Sequence, residues 1–260
     1  MKQYSWFLLI VLVFFGSCGN YKRFTYLQTT KPENADTLYR QNLIQYKLQP
    51  ADVLYVKILS LDKSITELFN LDASASYSPY ISSLGGSMYL MGYSIDNVGY
   101  IILPILGKVH VAGLTIEEAK QIIQKLAESY ITDARAEVKL VSFKISMLGE
   151  VIRPGQYTIF NDRANIFEAI SLAGDISYNG NRRNVLIVRT LINGTKTIKV
   201  DLTKRELLSS QQYYLQPNDI VYIEPYRTTA FRLRVADYSV FLTLITSTIT
   251  AVLLINQFRK

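Results

Sequence analysis

The chain has 260 residues, 49% apolar and 19% charged, enough for one large domain or for two small ones that each bury a core. Its formal charge of +7 comes without runs of lysine or arginine, so the concentrated basic stripe that nucleic-acid binding needs is missing and nucleic acid is not an expected partner. A single cysteine leaves no disulfide framework to build.

The chain opens MKQYSWFLLIVLVFFGSCGN: Lys2, an unbroken apolar run from Trp6 to Phe15, then the small residues Gly16 and Ser17. This pattern is a secretory signal, too short for a comfortable membrane span. Cys18 directly follows the small pair, and the stretch resembles the lipobox of bacterial lipoproteins, with Phe15 where leucine is usual. Residues 1–17 are expected to be removed and Cys18 to be acylated as the mature N-terminus. The plainer alternative is an ordinary signal peptide with an incidental cysteine. Residues 18–43 are polar and unpatterned, and read as a tether from the lipid to the first fold.

A first β-rich unit then begins at YKLQPADVLYVKIL, where Pro50 sets a turn, Asp52 suits its exit, and Val53 to Leu59 is a strand. Thr66 to Ser94 is rich in Ser, Tyr and Gly, holds no lasting period, and reads as a long loop. Tyr100 to Leu103 and Lys108 to Val111 are strands broken by Pro104 and Gly107. Thr115 with Glu118 three residues on is a capping box, and Ile116, Ala119, Ile122, Ile123 and Leu126 form the buried stripe of the helix it starts. ARAEVKLVSFKISMLGEV follows as two strands.

In GEVIRPGQYTI, Pro154-Gly155 fits the centre of a type II turn, proline presetting the first position and glycine taking positive φ at the second. On that reading the turn is structural, and Gly155→Val is expected to cost folding or assembly. NIFEAISLAG is a short helix stopped by Gly174. VLIVRTLINGTKTIKVDL is a hairpin turning on Asn193-Gly194, and this turn reading outweighs the match of Asn193-Gly194-Thr195 to a glycosylation sequon. YYLQPNDIVYI at 213–223 repeats YKLQPADVLYV at 46–56. The repeat is one device used twice, a proline-set turn launching a strand, and it implies two small β-rich modules rather than a single sheet.

The sequence offers no chemistry of an enzyme. His110 is the sole histidine and sits on a strand, and no His/Cys/carboxylate cluster has metal-ligand spacing. Ser60-Leu61-Asp62-Lys63 matches S-x-x-K, but its S-D-N and K-T-G companions are missing. Gly85-Gly86 has no following lysine and no strand–loop–helix frame, so it is not a phosphate loop. Neither catalytic residue, metal nor cofactor is expected.

The C-terminal stretch SVFLTLITSTITAVLLINQFRK carries no charge from Ser239 to Ile255. At ~1.5 Å per residue that run spans roughly 26 Å, a fit to a thin membrane such as the outer membrane. At about 100° per residue, Ser239, Thr243, Thr246, Ser247 and Thr250 fall on a face about 100° wide, interrupted by Val235, Leu253 and Leu254. Phe241, Leu244, Ile245, Ile249, Val252 and Ile255 lie opposite, and Thr248 is the exception. Such a helix suits a ring around water with those five residues lining the pore. It also suits a single anchor that packs its small residues on a neighbour.

Taken in order, YKLQPADVLYVKI, GYIILPILGKVHVAGLTIEEA, LGEVIRPGQYTI, IFEAISLAGDI and LQPNDIVYIEP resemble the Wza-type outer-membrane polysaccharide export lipoproteins, over roughly residues 44 to 225. The resemblance implies an α+β architecture: a small polysaccharide-export domain (44–142), a β-grasp-like SLBB domain (143–225) and a C-terminal membrane helix (226–260). It implies a ring-forming subunit that passes capsular or exopolysaccharide from periplasm to cell surface, anchored in outer-membrane lipid through Cys18 with its globular domains in the periplasm. Its expected partners are further copies of itself, the exported polysaccharide and an inner-membrane polysaccharide co-polymerase. Three departures stand out: Asp175 follows Gly174 where the family usually has Gly-Gly, there is one recognisable β-grasp copy where longer members have two, and residues 73–94 have no place in the family pattern. The alternative is an envelope lipoprotein that binds a saccharide or partner through its β-grasp module without forming a channel.

Overall fold

The computed structural model describes residues 21–29, 37–41, 45–70, 87–191 and 193–258. The signal segment, Cys18, the Gly85-Gly86 pair and the stretch from 71 to 86 lie outside the described residues. The first unit is built on β1 (Val53–Leu59), whose β-branched and aromatic residues suit a pleated surface. Next come two helices, α1 (Lys63–Phe69) and α2 (Ser87–Leu90), then β2 (Tyr93–Ser94). The hairpin of β3 (Tyr100–Leu103) and β4 (Gly107–His110) leads into α3 (Ile116–Glu128) and β5 (Arg135–Leu140). Strand β1 is central, antiparallel to β2 on one side and to β5 on the other, from Leu54↔Leu140 to Leu59↔Arg135.

Helix α3 starts as its sequence requires, with both halves of the Thr115–Glu118 capping box formed. Its buried face is shifted from the expected stripe. Ala119, Ile123 and Ala127 are buried, while Ile122 is left at the edge, 39% exposed. The core beneath it gathers Leu48, Leu54, Ile101, Val111 and Ile123. Part of the expected loop from Thr66 to Ser94 is helical instead. Asp62 caps α1 by accepting from the Ser64 amide (2.9 Å), and Asn70 closes it by exchanging two bonds with the Ile58 backbone (2.9 and 2.8 Å). A seven-residue helix is too short to show a period, so its caps were the readable signal.

The second unit has its own sheet and core. Its elements are β6 (Lys144–Gly149), β7 (Gly155–Thr158), β8 (Ala164–Asn165), α4 (Ile166–Leu172), β9 (Gly180–Leu191), β10 (Gly194–Val200), β11 (Tyr214–Leu215) and β12 (Ile220–Pro225). Five strands run in the order β10-β9-β12-β6-β7, with β12 parallel to β6 and antiparallel to β9. Helix α4, capped by a reciprocal Asn165–Glu168 box, contributes Ile166, Ala169 and Ile170 to the core formed with Ile145, Met147, Ile187, Val221 and Ile223. A mixed sheet with a helix laid on it is the β-grasp-like half of an α+β chain.

Two expected turns differ in detail. Gly155 is not in the left-handed region. It opens β7 opposite Met147, and the positive φ of this connection belongs to Gly149 (φ 83). The link from β6 to β7 is therefore a wider excursion than a two-residue type II turn, because Glu150 leaves the hairpin to bond the Ile223 carbonyl at 3.0 Å. In the β9–β10 hairpin, Gly194 already pairs with Leu191 as the first residue of β10 (φ 140), so of the expected Asn193-Gly194 pair only Asn193 stays in the turn. Beyond β12 a single long helix, α5 (Arg227–Phe258), leaves the second unit.

Candidate functional site

The repeated LQPxD strings form a matched pair of turns at the junction of the two units. In each, proline is followed by a residue in the left-handed region, Ala51 (φ 71) and Asn218 (φ 64). In each, the aspartate carboxylate accepts from the amide of the glutamine three residues back, at 2.9 Å for Gln49–Asp52 and 2.7 Å for Gln216–Asp219. The leucines Leu48 and Leu215 are buried. Together the turns grip the crossover from β5 to β6. Ser142 Oγ accepts from Val53 N at 3.0 Å and donates to Asp52 at 3.4 Å, while Asn218 N donates to Lys144 O at 2.8 Å and Ser146 N to Asp219 O at 3.0 Å.

The two buried carboxylates are satisfied differently. Asp219, fully buried, receives two bonds from Arg189, Nε at 2.9 Å and Nη2 at 2.7 Å. Asp52 has the Tyr46 hydroxyl at 2.7 Å. Burial raises the Asp52 pKa, and its hydrogen bonds from Gln49, Tyr46 and Ser142 offset part of that rise. The Tyr46 hydroxyl is raised in turn, by its own burial and then by the Asp52 charge.

The second feature is a strap. Residues 21–29 dock on the second unit, so this part of the expected tether does not run free to the first fold. Leu27 N donates to Leu202 O at 3.1 Å and Gln28 N to Thr203 O at 2.6 Å, and Arg205 Nε holds Leu27 O at 2.8 Å. Phe24 stacks on Tyr178 with ring centres 4.8 Å apart, and Tyr26 meets Phe167 edge-on at 5.6 Å. The Tyr26 hydroxyl donates to Asp175, which also lies 3.8 Å from the buried Arg182. Burial, then the hydrogen bond to Asp175, pushes the Tyr26 pKa up. Arg182 bonds Ile176 O at 2.9 Å, while its Nε and Nη1 lack an acceptor among the described residues; its guanidinium carbon lies 5.0 and 5.9 Å from the centres of the Tyr26 and Phe24 rings.

This strap explains the Gly174-Asp175 departure. Both residues have left-handed φ, 79 and 85, a region costly for a non-glycine. Asp175 is held there because its carboxylate ties strap to Arg182. Tyr26→Ala should remove that tie and a half-buried ring, costing about 2 kcal/mol. Limited proteolysis checks it, with cleavage within 21–29 expected well before the sheet is cut.

At the strap's other end, the Tyr226 hydroxyl donates to Arg23 O at 3.2 Å, so the strap also touches the root of α5. From Val240 to Phe258, α5 is long and apolar enough to cross a membrane and lies outside both cores. Thr243, Thr246, Ser247 and Thr250 are exposed along it, as are Phe241, Leu244, Ile245 and Val252. Ser239 lies within the helix, but its side chain is outside the described residues. Thr246, Thr248 and Thr250 donate to carbonyls of their own helix, at 3.0, 2.8 and 2.8 Å.

Among the described residues no three His, Cys, Asp or Glu side chains gather as a metal site. His110 packs edge-on to Tyr100 at 4.9 Å, and Ser60 of the S-x-x-K match bonds Asp133 at 3.1 Å. Asn165 and Arg189 were not picked out from sequence, and Asp175 stood out only as a departure from Gly-Gly, without its role. Asn165–Glu168 is a cap signal that was there to find, whereas Arg189 and Asp175 act through partners far along the chain.

An α+β pair of small domains joined by a shared turn device, followed by one exposed apolar helix, defines the class. Residues 41–141 match the family described as polysaccharide biosynthesis/export protein, and residues 143–223 match the SLBB domain. The chain therefore carries a polysaccharide biosynthesis/export domain followed by an SLBB domain. It is similar to the EPS I polysaccharide export outer membrane protein EpsA of Ralstonia nicotianae, 23% identical over 185 residues that cover 69% of this chain and 47% of that protein. A protein of the same description from Ralstonia solanacearum is 23% identical over 186 residues, 69% and 48% of the two chains. The chain spans about half the length of the curated relatives it matches.

Proposed function

We propose that this chain is a subunit of a ring-forming outer-membrane translocon that exports capsular or exopolysaccharide from the periplasm to the cell surface. The observation that carries this reading is α5, an exposed apolar helix rooted directly in an export–SLBB pair, whose Ser and Thr hydroxyls from Ser239 onward, Thr248 excepted, fall on one side by helical spacing. Copies of α5 from several subunits would surround a water-filled pore lined by Ser239, Thr243, Thr246, Ser247 and Thr250. Cys18 would carry the lipid, the two domains would stand in the periplasm, and an inner-membrane co-polymerase would deliver the chain. The subunit's part is passage, with no covalent step assigned to it.

One observation favours the second reading, a lipoprotein that binds a saccharide or partner and uses α5 only as an anchor. The threonine hydroxyls bonded to their own helix need no water. Thiol labelling in assembled protein separates the two. Thr243→Cys and Ser247→Cys should react with a small water-soluble reagent, while Ile245→Cys and Val252→Cys should stay protected by lipid. Cys18, acylated in this reading, adds no free thiol. Closed rings in detergent with this split in labelling support the pore. Monomers, or equal protection at all four positions in an assembled particle, would overturn it.

A further inference from the structure

The two units leave a cleft of about 250 Å³ beside their crossover, floored by the end of β5 and the start of β6 and walled by α2 and by the chain from β7 to Asp162. Lys139 and Lys144 both line it. Lys139 is paired with Glu137 at 2.8 Å. Lys144 has no carboxylate partner among the described residues, and its Nζ sits 5.4 Å from the centre of the Tyr89 ring across the cleft. Phe160 lines the same cleft yet is 77% exposed, Gln156 supplies an amide, and the Asp162 carboxylate in the lining acts on Lys139, which leaves Lys144 as the cation open to a ligand.

These groups suit a single kind of ligand better than its competitors. A flat aromatic face takes the C–H face of a pyranose ring, an amide exchanges hydrogen bonds with ring hydroxyls, and an ammonium pairs with a carboxylate through a charge-assisted bond. A neutral sugar would leave the lysine unused, and a bare inorganic anion would leave the phenyl face and the amide unused. The volume is just under the usual range for ligand pockets, about 300–1,000 Å³, which suits one sugar residue of a chain rather than a long segment. Clefts between domains are where such sites commonly form.

We infer that this interdomain cleft is a binding subsite for an acidic sugar residue, a hexuronate or similarly carboxylated unit of a polysaccharide. The polymeric ligand rests on the export reading; the cleft and its chemistry do not. Lys144 holds the carboxylate, Phe160 and Tyr89 hold the ring, and Gln156 reads hydroxyls.

The test is calorimetric titration of the full chain in detergent with trigalacturonate, maltotriose and inorganic phosphate. Trigalacturonate should bind, more weakly as salt rises, and Lys144→Gln and Phe160→Ala should each weaken it about tenfold. Both side chains lie at the cleft rim outside the cores, so melting temperatures should not move, which separates lost binding from lost folding. Equal binding of maltotriose or of phosphate, or unchanged affinity in both variants, would overturn the subsite. Closed rings that bind none of the three probes would sink the subsite and leave the export reading standing. Trigalacturonate binding by a protein that is only ever monomeric would do the reverse.

Discussion

Asp219→Ala is expected to destabilise the second domain by about 3–5 kcal/mol, the usual result of removing one partner from a buried ion pair. Arg189 is 7% exposed and directs Nε and Nη2 at the two Asp219 oxygens. Without the carboxylate a guanidinium remains in the core with only the Tyr214 carbonyl, at 3.3 Å, to receive it. The turn is lost as well, since the Gln216 amide bonds the same carboxylate. Denaturant unfolding should show a lower midpoint at an unchanged slope. Replacing both partners by Asp219→Leu and Arg189→Met should recover much of the loss, because the stranded charge goes too. Asp52→Asn is the control. Its carboxylate is held by hydrogen bonds without a cation, and burial already disfavours its charge, so a change within about 1 kcal/mol is expected. Equal large losses at Asp52 and Asp219 would show that the turn, and not the ion pair, sets the effect.

That contrast marks what the sequence could and could not convey. The LQPxD turns, the Thr115 cap and the β9–β10 hairpin depend on residues within a few positions of one another, so their pattern is legible in one pass. Arg189 and Asp219 are 30 residues apart, and nothing local distinguishes that arginine from a solvated one. The strap was missed for a different reason. Residues 21–29 look polar on average, but Phe24 and Tyr26 pack their rings on partners more than 140 positions away, Tyr178 and Phe167. The hydroxyl-rich character of α5 was fully visible as composition. In the proposed ring, what those hydroxyls face would be decided by neighbouring copies, which lie beyond the chain's own contacts.

The glycines of the β6–β7 connection give the other large expected effect, and reverse the expectation drawn from Pro154-Gly155. Gly149→Ala should be severely destabilising, by about 3 kcal/mol or more, from left-handed strain and forced overpacking together. Gly149 has φ 83 and ends β6 against β12, where an added Cβ would overlap the Ile223 carbonyl oxygen and press on the Tyr222 ring. That carbonyl also receives the Glu150 amide at 3.0 Å, so it cannot withdraw without breaking the bond that starts the excursion. Gly155→Val should instead be tolerated within about 1 kcal/mol, since a branched residue is at ease in a strand. Gly155 lies in β7 outside the left-handed region, and no atom stands within 4 Å of where its Cβ would be. Thermal unfolding of both variants decides the matter. A Gly155→Val protein that fails to fold beside a stable Gly149→Ala would restore the type II turn and remove Gly149 as the residue that permits the close approach of β6 to β12.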